Sequence, residues 1–148
     1  MWFESRGVMG KVISFQIKSK IENIYSVERA ILEQASQFGF DSESRFCLRL
    51  AMDEAFVNAI IHGNGNAAEK NIYVKAHCDC DRIEISIRDE GNGFDLSVLN
   101  DPREEPFLFE THGRGVFLIR QFTHELHFND KGNEIIFVMN RAQPSALS

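Results

Sequence analysis

"DEAFVNAIIHGNGN", residues 53–66, has the apolar content of a buried helix, yet it sets Glu54, Asn58 and His62 at successive four-residue steps. Placing residues 46–62 on a helix at about 100° per residue separates the polar groups into two stripes on nearly opposite sides. Arg49 and Asp53 share the first. Glu54, Asn58 and His62 share the second, with Cys47, Ala51, Ala55 and Ile61 as small or apolar neighbours. An amphipathic helix needs only one solvated face. The second stripe therefore lines a cleft, satisfies buried hydrogen bonds, or faces water on a helix with two wet edges.

The segments around this helix alternate between two periods. In "KVISFQIKSK" (11–20), Val12, Ser14 and Gln16 alternate with Ile13, Phe15 and Ile17, the pattern of a strand with one buried face. From Ile21 the apolar spacing changes to three and four residues, through Ile24, Val27, Ile31, Ala35 and Phe38, which predicts a helix over 21–38 ended by Gly39. Asp41 or Ser42 is placed to cap a second helix over 42–62, which "HGNGN" stops. "NIYVKAHC" and "RIEISIRD" alternate again around the short turn "DCD", a hairpin. A polar stretch without sustained period follows, and residues from Asn100 to His112 read as a lid. "VFLIRQF" predicts a helix over about 115–123 and "EIIFVM" (134–139) a closing strand. The expected architecture is α+β: a two-layer sandwich with a mixed, mostly antiparallel sheet and the helices on one face. Residues 1–10 read as an N-terminal extension, 11–140 as one domain and 141–148 as a tail.

Composition narrows the function. A chain of 148 residues with 43% hydrophobic residues, 13 Phe and only 3 Pro suits one globular domain. The net charge of -6 disfavours nucleic acid or an anionic membrane as the main partner, since both attract a basic face. "MWFESRGVMGK" has no continuous apolar core of a signal sequence, so a cytoplasmic protein is expected. Cys47, Cys78 and Cys80 are odd in number and lack a second pair, which supports neither a disulfide framework nor a zinc site.

Three clusters carry chemistry. A carboxylate and an amide one helical turn apart suit metal-assisted phosphoryl transfer: Asn58 offers a neutral oxygen to a hard cation such as magnesium, and Glu54 can accept a proton from a hydroxyl beside it. In "RDEGNGFD" a strand ends at Asp89, with Gly91 and Gly93 following. A carboxylate fixed there can accept a hydrogen bond from an exocyclic amine, and the glycines let a flat ring approach the backbone. The bland reading of these residues is a turn. "HGRGVFLI" is a glycine-rich loop opening a helix, suited to phosphate or merely a hinge.

In this order the clusters resemble the GHKL ATPase superfamily, which includes the ATP-binding domains of gyrase and histidine kinases. Glu54 and Asn58, with His62 and Gly63, match its N-box; Asp89, Gly91 and Gly93 match its first glycine box; Gly113 and Gly115 match its second. The strand-helix-helix opening, "NAIIHGN" and "GRGVFLIRQF" are similar to the single-domain anti-sigma-factor serine kinases. The resemblance implies that the stripe faces ATP. Glu54 would be the general base, Asn58 would hold Mg2+, Asp89 would meet the adenine amine, and Gly113 to Gly115 would close over the phosphates. Arg114 would add charge there, and His62 would orient the helix end without ligating metal. It also implies a sigma factor and an antagonist protein as partners, and a homodimer. His77, His124 and His127 carry no assigned role. The chain departs from the pattern at Gly132-Asn133, where the family commonly has Gly and Thr, and in an acidic lid around Glu104, Glu105 and Glu110. Two other readings compete: a nucleotide-gated binding module without transfer, and the catalytic domain of a histidine kinase, which needs a phosphoacceptor helix pair in addition.

Overall fold

The structure is a computed structural model describing residues 1–5, 7–93 and 113–142. Strands β1 (Trp2–Ser5) and β2 (Val8–Lys18) lead through a 3-10 turn (Ile21–Asn23) into helices α1 (Ile24–Gln37) and α2 (Ser42–Val57). A π turn (Asn58–Gly63) ends α2. The hairpin strands β3 (Asn71–Asp79) and β4 (Arg82–Arg88), helix α3 (Gly113–Phe122), and strands β5 (Glu125–Phe128) and β6 (Glu134–Asn140) complete the described chain. The six strands form one sheet in the order β1-β2-β3-β4-β6-β5.

The expected sheet was mixed; every described pairing is antiparallel. Two connections decide it: β6 lies between β4 and β5, which run the same way but do not pair, and β3 lies beside β2. Helices α1 and α2 form an up-and-down pair that returns the chain to the end where β2 stopped, so the next strand runs back alongside it. The strand expected over 11–20 begins earlier, at Val8, and Trp2–Ser5 pairs with it from Trp2↔Lys11 to Ser5↔Val8. Strand β5 was not foreseen, since four residues give too little alternation to read.

Alternation decides which face is buried. Registers such as Ile13↔Ala76, Phe15↔Val74 and Ile85↔Phe137 stack apolar side chains on one face of the sheet. Ile31 of α1, Leu48, Met52 and Phe56 of α2, and Ile119 of α3 complete a single core with them. Burying each such side chain contributes roughly 1.5–3 kcal/mol. The other face carries Ser14, Gln16, Lys75 and Ser86, and the Arg88 guanidinium lies 4.6 Å from the centre of the Tyr73 ring.

Local signals set the helix ends. Gly39, at φ +92°, turns the chain out of α1 while the Phe40 N–H reaches back to the Ala35 carbonyl at 3.0 Å. The Asp41 carboxylate caps α2 by accepting the Ser44 N–H at 2.7 Å, and this bond holds its pKa below the ordinary carboxylate range. On the outer stripe of α2, Arg49 and Asp53 face each other at 4.0 Å, as their spacing predicts.

Candidate functional site

Asn58 marks the point where α2 stops being α-helical. The Asn64 N–H bonds to the Ala59 carbonyl at 2.7 Å, a five-residue step that widens the last turn. The stripe read from the sequence is correct as far as Asn58: Glu54 and Asn58 are half-buried, one turn apart on the same side. Beyond it the π turn changes the angular step, and His62 becomes exposed. The helix expected to reach residue 62 as α-helix therefore ends at Val57, followed by the π turn.

Asp89 sits where β4 leaves the sheet, facing the end of α2. A Cβ on Gly63 would overlap the Asp89 carboxylate, and a Cβ on Gly91 would overlap the Gly63 carbonyl. Glycine at both positions is what lets the two segments touch. The Gly91 N–H donates to Asp89 Oδ1 at 2.7 Å. Burial nevertheless keeps the Asp89 pKa above the ordinary carboxylate range, opposed by that bond and by Lys131 and Lys70. Gly93, at φ +80°, backs onto the Lys131 carbonyl.

Helix α3 supplies the opposite wall. Gly113 and Arg114 form its first residues, and a Cβ on Gly115 would stand 2.8 Å from Asn58 Nδ2. Asn58, Ile87, Asp89, Val116 and Asn133 line a narrow cleft of about 30 Å³. The Arg114 side chain and the lid expected over 100–112 lie outside the described residues.

Asn133 was read from the sequence only as a departure, yet it holds the site together. Its Nδ2 donates to the carbonyls of Asp89 (3.1 Å) and Gly91 (3.4 Å), while the Asp89 N–H donates to the Asn133 carbonyl at 2.9 Å. Asn129 braces Asn133 in turn, donating from Nδ2 to Asn133 Oδ1 at 2.6 Å. Asn64, 1% exposed, was likewise read only as part of a helix stop. An Asn beside Gly in a turn carries no sequence signal that separates a site brace from an ordinary turn.

Two of these groups suit a purine nucleotide: a carboxylate acceptor at a strand end, and an amide oxygen beside a helix that opens with glycine. Similarity to known proteins points the same way. Over 131 residues the chain is 25% identical to a serine-protein kinase RsbW of Listeria innocua, covering 84% of this chain and 83% of that one. Over 78 residues it is 36% identical to an anti-sigma F factor of Oceanobacillus iheyensis, covering 51% and 53%. A crystal structure of the RsbU and RsbW domains of a Mycobacterium tuberculosis protein superposes with a TM-score of 0.61 at 14% identity, covering 91% of this chain and 34% of that longer one. At that identity it speaks for the fold alone. The family model of the histidine kinase-like ATPase domain matches residues 17–139, and the chain belongs to this family.

Proposed function

We propose that this chain is an ATP-dependent protein serine/threonine kinase that binds a sigma factor and phosphorylates an antagonist protein in the cytoplasm. One observation carries the reading: α2, the exit of β4 and the start of α3, far apart in sequence, bring Asn58, Asp89 and Gly115 to one cleft. The relatives named serine-protein kinase and anti-sigma F factor support the substrate class and the partners.

Asp89 would accept an N–H of the adenine amine at its carboxylate, and Gly91 and Gly93 let the neighbouring chain segments pack closely around it. Asn58, whose side-chain amide packs beside Gly115, would offer its side-chain oxygen to Mg2+. Bound magnesium would neutralise charge on the phosphate oxygens. Gly113 and Gly115 offer a close backbone approach to the phosphates at the start of α3, where the helix dipole favours negative charge, and Arg114 adds a cation there. Glu54, one turn before Asn58, takes the proton of the incoming serine or threonine hydroxyl. His62 orients the end of the helix from outside the cleft.

The test is incubation with γ-labelled ATP and magnesium alongside purified candidate antagonist proteins encoded in the same operon. Label on a Ser or Thr of one of them is the expected result. Tight ATP and partner binding with no label transferred, across all candidates, would instead identify a nucleotide-gated binding module.

A further inference from the structure

The peptide that joins Asp89 to Glu90 is held from both sides. Its carbonyl accepts from Asn133 Nδ2 at 3.1 Å, and its N–H donates to Asn64 Oδ1 at 2.8 Å. Fixing this peptide plane fixes ψ of Asp89, and with it the direction in which the carboxylate leaves the chain. Asn64 can do this because it is itself immobilised. It is 1% exposed, its Nδ2 donates to the Asn71 carbonyl at 3.1 Å, and its carbonyl accepts from the Ala67 N–H at 3.0 Å. The Glu90 carboxylate closes a ring by accepting the Asn71 N–H. Asn64 also follows Gly63 directly, the residue packed on the Asp89 carboxylate. One buried side chain thus ties the end of the π turn to the exit of β4 beside the base-reading group.

We infer that Asn64 is a positioning residue for nucleobase selection: its Oδ1, acting through the Asp89–Glu90 peptide, aims the Asp89 carboxylate at an exocyclic amine. The inference rests on the proposal that Asp89 reads adenine. A stabilising contact alone would make Asn64 matter for folding but not for the choice of base. An aiming contact makes it matter for that choice, because a hydrogen bond weakens steeply as its angle departs from linear.

The experiment compares magnesium-ATP with magnesium-ITP, whose base carries a carbonyl in place of the amine, by calorimetric titration of the full chain. The ratio of the two affinities on one sample is independent of the folded fraction, which separates aiming from folding. The wild type is expected to prefer ATP by about tenfold or more. In Asn64→Ala the ratio should collapse to within about threefold of unity. In Asn64→Asp, which keeps the acceptor for the Glu90 N–H, loses the donor to Asn71 and adds a buried negative charge that acts on both triphosphates alike and so cancels in the ratio, most of the preference should survive. An unchanged ratio in Asn64→Ala overturns the inference, as does a collapse in Asn64→Asp, and the second variant alone decides if the first does not fold. A wild type that binds both nucleotides equally would instead sink the reading of Asp89 as the base-reading group.

Discussion

Asn133 spans 44 positions of sequence to donate its side-chain amide to the carbonyl of Asp89 at 3.1 Å, while its own carbonyl accepts the Asp89 N–H at 2.9 Å. The two residues extend the β4–β6 ladder by one pair beyond Arg88↔Glu134. A threonine at position 133 would have no amide to make the same pair of side-chain bonds.

Asn133→Ala should therefore lower the free energy of unfolding by about 1 to 3 kcal/mol, because the carbonyls of Asp89 and Gly91 lose a part-buried donor. Urea titration followed by circular dichroism measures it. An unchanged midpoint would mean that water replaces the amide without cost.

Asp89→Asn should weaken nucleotide binding by about 1 to 3 kcal/mol, since an amide can present a donor where the adenine amine needs an acceptor. The wild type should also gain thermal stability when magnesium-ATP or ADP is added, as any ligand selective for the folded state stabilises it. A folded Asp89→Asn protein with wild-type affinity would remove Asp89 from base recognition.

Glu54→Gln keeps the shape of the side chain and removes its basicity, so nucleotide and partner binding should persist while transfer falls by about 10²- to 10⁴-fold. Asn58→Ala should impair magnesium-dependent binding as well as transfer. A phosphorylation assay paired with titration separates the two, and wild-type transfer by Glu54→Gln would exclude Glu54 as the base.

Gly115→Ala tests a close approach. Alanine favours a helix over glycine by up to about 1 kcal/mol, but its Cβ would stand 2.8 Å from Asn58 Nδ2. The expected outcome is a protein of at least nearly wild-type stability whose magnesium-dependent nucleotide affinity drops. Wild-type affinity would show that Asn58 moves aside freely.

Glu28 of α1 is 4% exposed, and its Oε2 has no hydrogen-bond partner among the described residues. Burial first, then the hydrogen bond to Asp53 and the charge of Asp53, push its pKa from 4.5 to about 8, with Arg49 opposing. Between these two values the folded protein keeps a proton that the unfolded chain has released. Stability should accordingly fall as pH rises through that window, at up to about 1.4 kcal/mol per unit. Glu28→Gln should flatten the slope, read from unfolding curves between pH 5 and pH 8. An equal slope in both proteins would place the titration elsewhere.

The fold was legible because its signals are local. Two-residue alternation in β2, β3, β4 and β6, three- and four-residue spacing in α1, and turn residues at Gly39 and "HGNGN" each act within a few positions of chain, and each predicts a buried face without reference to the rest. The pairing of Glu54 with Asn58 was legible for the same reason, since a helical turn is a local ruler. What only the tertiary structure decided are relations across the sheet. That every described pairing is antiparallel follows from how two helices return the chain and from β6 lying between β4 and β5, and the exposure of His62 follows from a π turn that no periodicity announces. The roles of Asn64 and Asn133 depend on backbone groups 26 and 44 positions away. A side-chain amide binds whichever peptide the fold brings to it, and the sequence around an asparagine carries no trace of that distant partner.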